Sequence, residues 1–168
     1  MSRDLREDAT KEQIRRNEIW KNNANFQTLI DIIDYNISCY ECIGSLRVLL
    51  HGNKSGTRST FGTTDVFSYN TNASIITEAN ARALFLKLMD EETFCSKCVI
   101  YWMSCFSGTG NIPQIISDTT KCIVYAPLGK QAGRSAYKEE NPLHSKVVDL
   151  NGKQLPQNRA FKKFTPRR

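Results

Sequence analysis

The chain is 168 residues long, with 40% hydrophobic and 10% aromatic residues, and this length and composition suit one folded domain and exclude a largely disordered chain. No segment approaches the roughly 20 apolar residues of a membrane-spanning helix, and the charged N-terminus lacks the apolar run of a secretory signal, so we expect no membrane partner and a reducing compartment. Residues 121–168 carry 11 Lys+Arg against 3 Asp+Glu, an uneven charge that indicates either an anionic partner or a solvated tail.

The first two segments in chain order are predicted to be helices. Residues 10–24 are rich in helix formers, and Thr10 with Gln13 has the form of a capping box. Because the apolar set of this segment is thin, we expect residues 1–25 to form a surface helix outside the main domain. A core helix is expected next, because an apolar face repeats at helical spacing in Phe26, Leu29, Ile30 and Ile33.

The middle of the chain alternates between predicted strands and helices. SLRVLLH, DVFSYN and KCIVY have the composition of strands, and the Gly-rich residues 52–64 are predicted to be a loop. TEANARALFLKLMDEE is predicted to be a helix, with a strand within LFLKLM as the alternative, and the apolar CSKCVIYWMSCF is predicted to be a short buried helix. We therefore predict an α+β fold for residues 26–128, with short helices and a small antiparallel sheet.

The cysteine spacing is the sharpest feature of the sequence. Cys39 and Cys42 form one C-x-x-C pair, and Cys95 and Cys98 form another. A two-residue gap lets a tight turn aim both sulfurs at one point, and two such turns make a tetrahedral site for Zn²⁺. We predict that these four thiolates bind zinc, so that the globular part is a small zinc-stabilised α/β domain.

Other roles for the cysteines stay open. Ordinary burial suits all of them, because cysteine is among the most buried residue types, and Cys95 with Cys98 also has the spacing of a redox pair. Cys105 and Cys122 are unpaired in the sequence. We expect them to be packing residues, although either is able to replace a zinc ligand.

The sequence contains little that indicates catalysis. A cysteine with a histidine suggests a nucleophile and its base, but His51 is expected to be a strand-end residue that faces water, and His144 a residue of the C-terminal tail. The sequence contains no serine-hydrolase, P-loop, zinc-protease or dinucleotide motif. We therefore predict no catalytic residues and no enzyme activity, with a thiol enzyme at Cys95 as the remaining alternative.

Residues 129–168 form a basic segment with few apolar positions. Gly, Pro, Asn, Gln and Lys are frequent there, so we predict a basic tail that is partly disordered or folds on a partner. Its basic residues would neutralise phosphates while its aromatic residues stack on unpaired bases. The nucleic-acid-binding residues predicted on this basis are Arg159, Phe161, Lys162, Lys163, Phe164, Arg167 and Arg168.

Three stretches resemble the papillomavirus early zinc-binding oncoproteins. Ile37-Ser38-Cys39-x-x-Cys42, followed by Leu46, is similar to the first zinc motif of that family. ALFLKLMDEETFCSKCVIYWMSCF is similar to the strand, charged turn, C-x-x-C and apolar helix that complete the domain, and DVFSYN to an aromatic-rich strand. The resemblance covers residues 26–107. It implies a viral adaptor that is held together by zinc at Cys39, Cys42, Cys95 and Cys98 and that grips host regulatory proteins.

These patterns favour a binding protein over an enzyme. The leading prediction is a zinc-binding viral regulatory adaptor that binds host proteins in the cytoplasm and nucleus of the host cell. The alternative is a nucleic-acid-binding regulator, or a suppressor of RNA silencing, that uses the basic C-terminal tail to bind RNA or DNA.

Overall fold

A mixed β-sheet organises the protein. The computed structural model describes residues 29–31, 33–34, 42–61, 75–87, 93–131 and 139–167. In this part of the chain the strands are β1 (Ile43–Gly52), β2 (Arg58–Thr60), β3 (Ile75–Thr77), β4 (Phe94–Ser104), β5 (Ile123–Pro127), β6 (Lys130–Gln131), β7 (Val147–Val148) and β8 (Phe161–Phe164).

The main sheet has the strand order β3-β2-β1-β4-β5-β8, and β6 pairs with β7 separately. Its centre is parallel, because β4 runs in the same direction as β1 and β5, whereas β2, β3 and β8 are antiparallel to their neighbours. After β1 the chain continues to one side of the sheet, and after β4 it continues to the other. The connections therefore change direction between β1 and β4, and ligands of open α/β sheets bind beyond the carboxyl ends of strands at such a switch point.

Short helices connect the strands. The described helices are α1 (Ala81–Leu86), α2 (Ile112–Thr120) and α3 (Gln157–Ala160), with 3₁₀ helices at Ser107–Thr109 and Pro142–His144. Residues 29–31 and 33–34 are also helical. α2 joins β4 to β5 and has a proline in its first turn, where the missing N–H breaks no helical hydrogen bond. Within the described residues, no helix has the length and apolar character to cross a membrane.

The main core lies on one side of the sheet, here called the helix face. Side chains alternate between the two faces of a strand, and Ile100 and Trp102 of β4 are fully buried together with Val124 of β5. α1 contributes Phe85, whose ring meets that of Trp102 edge-on at 5.6 Å between centroids, and α2 contributes Ile116. Full burial of each such side chain contributes about 1.5–3 kcal/mol.

The opposite side of the sheet, here called the second face, carries the odd-numbered positions of β1, β4 and β5. Tyr101 and Tyr125 stack there with 5.9 Å between their ring centroids. The side-chain amide of Gln131 on β6 is buried and donates to Met103 Sδ at 3.8 Å. Residues that follow β5 therefore pack against this face.

The structure confirms several elements predicted from the sequence. The mixed α and β content is confirmed, and β1 and β5 confirm the strands at SLRVLLH and KCIVY. The core helix is confirmed at the described residues 29–31 and 33–34, and α1 confirms a shorter part of the helix predicted at TEANARALFLKLMDEE. The predicted helix at residues 10–24 and the strand DVFSYN lie outside the described residues.

Other predicted elements are wrong. CSKCVIYWMSCF contains a strand and no helix, because a continuous apolar run suits a central parallel strand, covered on both faces, as well as it suits a buried helix. The small antiparallel sheet is wrong for the same reason, since a strand at β4 makes the centre of the sheet parallel. α2 was not predicted.

The basic C-terminal segment provides an edge strand of the main sheet. β8 pairs with β5, with Phe164 opposite Val124 and Phe161 opposite Pro127. Ala160 and Phe164 are buried, and Phe164 belongs to the core on the helix face. The few apolar residues of this segment thus attach residues 157–164 to the sheet.

Candidate active site at the carboxyl ends of two parallel strands

The cysteines near the amino ends of the central strands form disulfides and not a zinc site. Cys42, just before β1, is bonded to Cys95 of β4, and Cys98 of β4 is bonded to Cys122, just before β5. A sulfur in a disulfide is not a thiolate and does not ligate zinc. Among the described residues no group of His, Cys, Asp or Glu is arranged to hold a metal ion, and Cys39 lies outside them. The predicted zinc site is therefore wrong.

The physical reason is the backbone around the second C-x-x-C. A zinc site needs a tight turn that aims both sulfurs at one point, but Cys95 and Cys98 lie in an extended strand. This strand is irregular here, because Ile43 pairs with Phe94 while Ser45 pairs with Val99. The two sulfurs therefore reach opposite neighbours, one toward β1 and the other toward β5.

A histidine and a cysteine follow the last paired residues at the carboxyl ends of the same strands. Leu50 of β1 is directly opposite Ser104 of β4, so the next residues, His51 and Cys105, follow at the same level of the sheet. His51 has an odd number in β1, and the alternation of side chains assigns it to the second face, whereas Cys105 directly follows β4, at the start of a turn. They lie at the switch point between β1 and β4.

Cys105 carries a free thiol. It is the one cysteine outside a disulfide in the described part of the chain, and it is half-buried. His51 is also half-buried. A thiol and an imidazole that end neighbouring strands, and that solvent reaches, are the two components of a cysteine nucleophile with a general base.

A sharp strand-to-helix turn presents Cys105. Phe106 has φ 58° and ψ 6°, a left-handed conformation that is strained for a bulky residue. Its N–H donates to the Gly129 carbonyl oxygen at 2.9 Å, and the hydroxyl of buried Ser107 donates to the Ser104 carbonyl oxygen at 2.7 Å. These hydrogen bonds fix the backbone on both sides of Cys105 and maintain the strained conformation.

Two glycines let the end of β1 and the loop after it lie directly against this turn. A Cβ added at Gly52 would clash with the Cys105 carbonyl oxygen and lie 2.7 Å from Ser104 Oγ. Gly56 has φ +70°, and a Cβ there would lie 2.6 Å from Thr109 Oγ1. Because neither position has room for a side chain, the backbone here packs directly against the turn that follows Cys105.

The described residues among those predicted to bind nucleic acid lie in or beside β8, at the edge of the sheet. Arg159, Lys162 and Lys163 are exposed, Phe161 is half-buried, and Arg168 lies outside the described residues. Phe164 is 5% exposed, and the ammonium of Lys162 lies 4.8 Å from the centroid of its ring. Phe164 therefore fills the core and does not present its ring to a base.

Arg167, another of these residues, makes an ion pair. Its guanidinium donates to Asp118 Oδ2 at 2.6 Å and 2.9 Å, and its backbone N–H donates to Asp118 Oδ1 at 2.8 Å. Burial raises the pKa of Asp118, but the hydrogen bonds from the side chain and backbone of Arg167 and from Gln114 outweigh it and lower this pKa below its usual value of 3.8.

The sequence contains a signal for the pair of His51 and Cys105. His51 ends the apolar run SLRVLLH, and Cys105 ends the apolar run CVIYWMSC. Once both runs are strands, two reactive side chains stand at two strand ends. Because the second run was predicted to be a helix, Cys105 had no predicted position relative to His51.

No protein-family model, curated protein or solved structure matches this chain. The resemblance to the papillomavirus oncoproteins therefore stays a prediction, and an account of function rests on the residues and geometry described above.

Proposed function

We propose that this protein is a cysteine-dependent acyl hydrolase in which Cys105 is the nucleophile and His51 its general base. The observation that carries the proposal is the register of β1 with β4, in which Leu50 pairs with Ser104, so that His51 and Cys105 directly follow the last paired residues at the switch point of the sheet. Strand ends hold side chains more rigidly than long loops do, and a catalytic pair needs that rigidity.

The proposed chemistry uses these two side chains and water. His51 takes the proton of the Cys105 thiol, and the sulfur attacks the carbonyl carbon of an ester or amide. The bond to the leaving oxygen or nitrogen breaks, the leaving group takes the proton from His51, and the acyl group remains on Cys105 as a thioester. A water molecule that gives a proton to His51 then attacks the thioester, which releases the acid and restores the thiol.

The conformation of Phe106 gives independent support. Strained non-glycine residues concentrate at functional sites, and a sharp strand-to-helix turn exposes the nucleophile of known α/β hydrolases. Here the strained residue directly follows Cys105, and α2 begins a few residues later. The redox alternative at Cys95 lacks comparable support, because Cys95 and Cys98 are each bonded to a different cysteine.

The proposal is tested with p-nitrophenyl acetate as a general acyl donor. We expect release of nitrophenol by the full chain and transient acetylation of Cys105, detected by peptide mass spectrometry after an acid quench. Cys105→Ala should abolish both signals. Cys39→Ser is the matched control and should retain both. Equal turnover by Cys105→Ala, or acetylation at other residues alone, would contradict the proposal.

A second candidate function is nucleic-acid binding at the edge strand, for which we propose a reduced set of residues. Lys162 and Lys163 are exposed on β8, and Arg159 is exposed on α3, so these cations are available to neutralise phosphates. Base stacking by buried Phe164 is not part of this proposal. Binding of host regulatory proteins without zinc stays a prediction that none of the contacts described above favours.

The second candidate is tested by salt-dependent binding to a labelled single-stranded RNA. Lys162→Glu with Lys163→Glu should weaken binding and flatten its dependence on salt. The matched control changes the charge equally at two exposed lysines away from β8, Lys54 in the loop after β1 and Lys97 of β4. Equal loss in both double variants would indicate a general charge effect and no site on β8.

A further inference from the structure

A chain of three hydrogen bonds, two of them buried and the last part-buried, runs from the core to the candidate site. The indole N–H of Trp102 donates to Ser59 Oγ at 3.0 Å. The Ser59 hydroxyl donates to Ser104 Oγ at 2.9 Å, and the Ser104 hydroxyl donates to the His51 carbonyl oxygen at 3.1 Å. The chain therefore connects β4 to β2, returns to β4 and ends on β1. We call it the serine relay.

The serine relay is complete and protected from water. Trp102, Ser59 and Ser104 are all 0% exposed. A hydroxyl has one proton to donate, and each serine uses that proton for the next hydrogen bond while it accepts the previous one. Successive hydrogen bonds of this kind strengthen one another in a medium of low dielectric constant, and removal of one leaves a buried polar group unsatisfied.

The relay acts where the regular pairing of the two strands ends. Leu50 and Ser104 are the last partners in the register of β1 with β4, and the left-handed turn at Phe106 then leads the chain away. At this point the Ser104 hydroxyl provides a further link between the strands. It connects the residue before Cys105 directly to the backbone of His51.

We propose that Ser104 and Ser59 are positioning residues that set the place of His51 relative to Cys105. The inference rests on the proposed function, since it assigns the relay a role in the work of that pair. Ser104 acts directly on the His51 carbonyl, Ser59 acts by orienting the Ser104 hydroxyl, and Trp102 acts at the far end. Substitution is therefore expected to change the reactivity of Cys105 most at Ser104, less at Ser59 and least at Trp102.

The test measures the second-order rate constant for alkylation of Cys105 by iodoacetamide, across a range of pH. Peptide mass spectrometry follows Cys105 separately from the other cysteines of the full chain. Ser104→Ala should slow the reaction about tenfold at neutral pH, because a small displacement of a catalytic group has a large effect on rate. It should also shift the pH profile toward that of His51→Ala. Ser59→Ala should have a smaller effect in the same direction.

Two further variants separate positioning from general stability. Ser117→Ala is the matched control, because Ser117 is also fully buried and also donates to a backbone carbonyl, that of Cys122 at 2.7 Å, but on α2. It should lower the melting temperature and leave the pH profile unchanged. Trp102→Phe should lower the melting temperature most of all these variants and change the rate least.

The outcomes distinguish the relay from the proposed function. If His51→Ala slows alkylation but Ser104→Ala and Ser59→Ala do not, the relay is overturned and the proposed function stands. If His51→Ala leaves the rate unchanged, both are overturned. If the loss of rate follows the loss of melting temperature across all variants, including Ser117→Ala, the effect is one of stability and the positioning role is overturned. If Ser104→Ala does not fold, Ser59→Ala decides alone.

Discussion

The two ends of the central parallel strands use cysteine in opposite ways. At the amino ends, four cysteines form the disulfides that join β1 to β4 and β4 to β5. At the carboxyl ends, Cys105 keeps a free thiol, and hydrogen bonds and close backbone packing fix its surroundings. The comparison teaches that the chemical role of a cysteine is set by its place in the sheet and not by whether it belongs to a C-x-x-C motif.

The two ends also differ in what holds them. Covalent cross-links reduce the conformational entropy of the unfolded chain, and this stabilises the folded state. The structure at the carboxyl ends depends instead on non-covalent features. These are the left-handed turn at Phe106, the glycines that allow close backbone contact, and the buried serine hydroxyls that each donate one hydrogen bond. Changes at the amino ends should therefore affect stability, whereas changes at the carboxyl ends should affect reactivity as well.

The largest effect is expected for His51→Ala. Loss of the general base should slow alkylation of Cys105 by about 100-fold near neutral pH. The measurement is the rate of carbamidomethylation of the peptide that contains Cys105. His144→Ala is the matched control, because His144 is exposed in a 3₁₀ helix, and it should leave the rate unchanged. Equal alkylation rates in the unmodified protein, His51→Ala and His144→Ala would contradict the role of His51. They would also contradict the difference in reactivity between the two ends of the central strands.

Removal of the buried disulfide should mainly affect stability. Cys98 and Cys122 are 3% and 0% exposed, and replacing both by Ala should lower the free energy of unfolding by about 3 kcal/mol. Urea denaturation measures this change. The His51-dependent rate at Cys105 should persist under native conditions, and its loss would show that the two ends are coupled.

The half-buried disulfide should be reduced first. Cys42 and Cys95 are each more exposed than their counterparts in the other bond, so a water-soluble phosphine reaches them more readily. Differential alkylation during brief native reduction should label Cys42 and Cys95 before Cys98 and Cys122. The reverse order would contradict the burial described here.

Gly52→Ala compares both ends within one strand. The added methyl group clashes with the Cys105 carbonyl oxygen, so we expect a loss of about 2 kcal/mol in unfolding free energy together with slower alkylation of Cys105. Gly44→Ala is the control in the same strand, where a Cβ meets only Cys95 Sγ at 4.0 Å. It should be neutral or slightly stabilising. Similar costs for both glycines would contradict the close contact at Gly52.

The smallest effect is expected for the ion pair of Asp118 and Arg167. The pKa of Asp118 is lowered in the folded protein, so the pair stabilises the protein above about pH 4, the usual unfolded value, and this contribution is lost as the pH falls through the folded pKa. The pair is exposed to solvent, with 69% of the Arg167 side chain accessible. Asp118→Asn should therefore lower the melting temperature by about 1 °C at pH 7, and the difference should vanish at low pH and in high salt.

Sequence patterns correctly predicted those elements whose residues consistently favour one type of secondary structure. SLRVLLH and KCIVY are short, rich in β-branched or leucine residues, and became β1 and β5. The helical spacing of Leu29, Ile30 and Ile33 was also sufficient. These assignments need no knowledge of distant contacts, because local periodicity and composition determine them.

The candidate site depended on contacts that local patterns do not contain. The long apolar run of β4 is compatible with a helix or a strand, and only its pairing with β1 and β5 decides between them. α2 was missed because IPQIISDTT mixes apolar residues with Ser and Thr, which are indifferent helix formers. The pairing of each cysteine likewise follows from strand order. Disulfides are typical of oxidising compartments, whereas the sequence led us to expect a reducing one, and the cytoplasmic and nuclear location stays a prediction.

The position of FKKF as the outermost strand has a consequence for the behaviour of the protein at high concentration. β8 pairs with β5 on one side, and in the described residues its other side has no neighbouring strand. An edge strand with unpaired backbone N–H and C=O groups can pair with a strand of another molecule, and such pairing starts aggregation. The ammonium groups of the exposed Lys162 and Lys163 of β8 repel a second copy of the same edge strand, and Pro166 offers no N–H to extend the pairing. The same lysines thus serve colloidal stability, whatever else they bind.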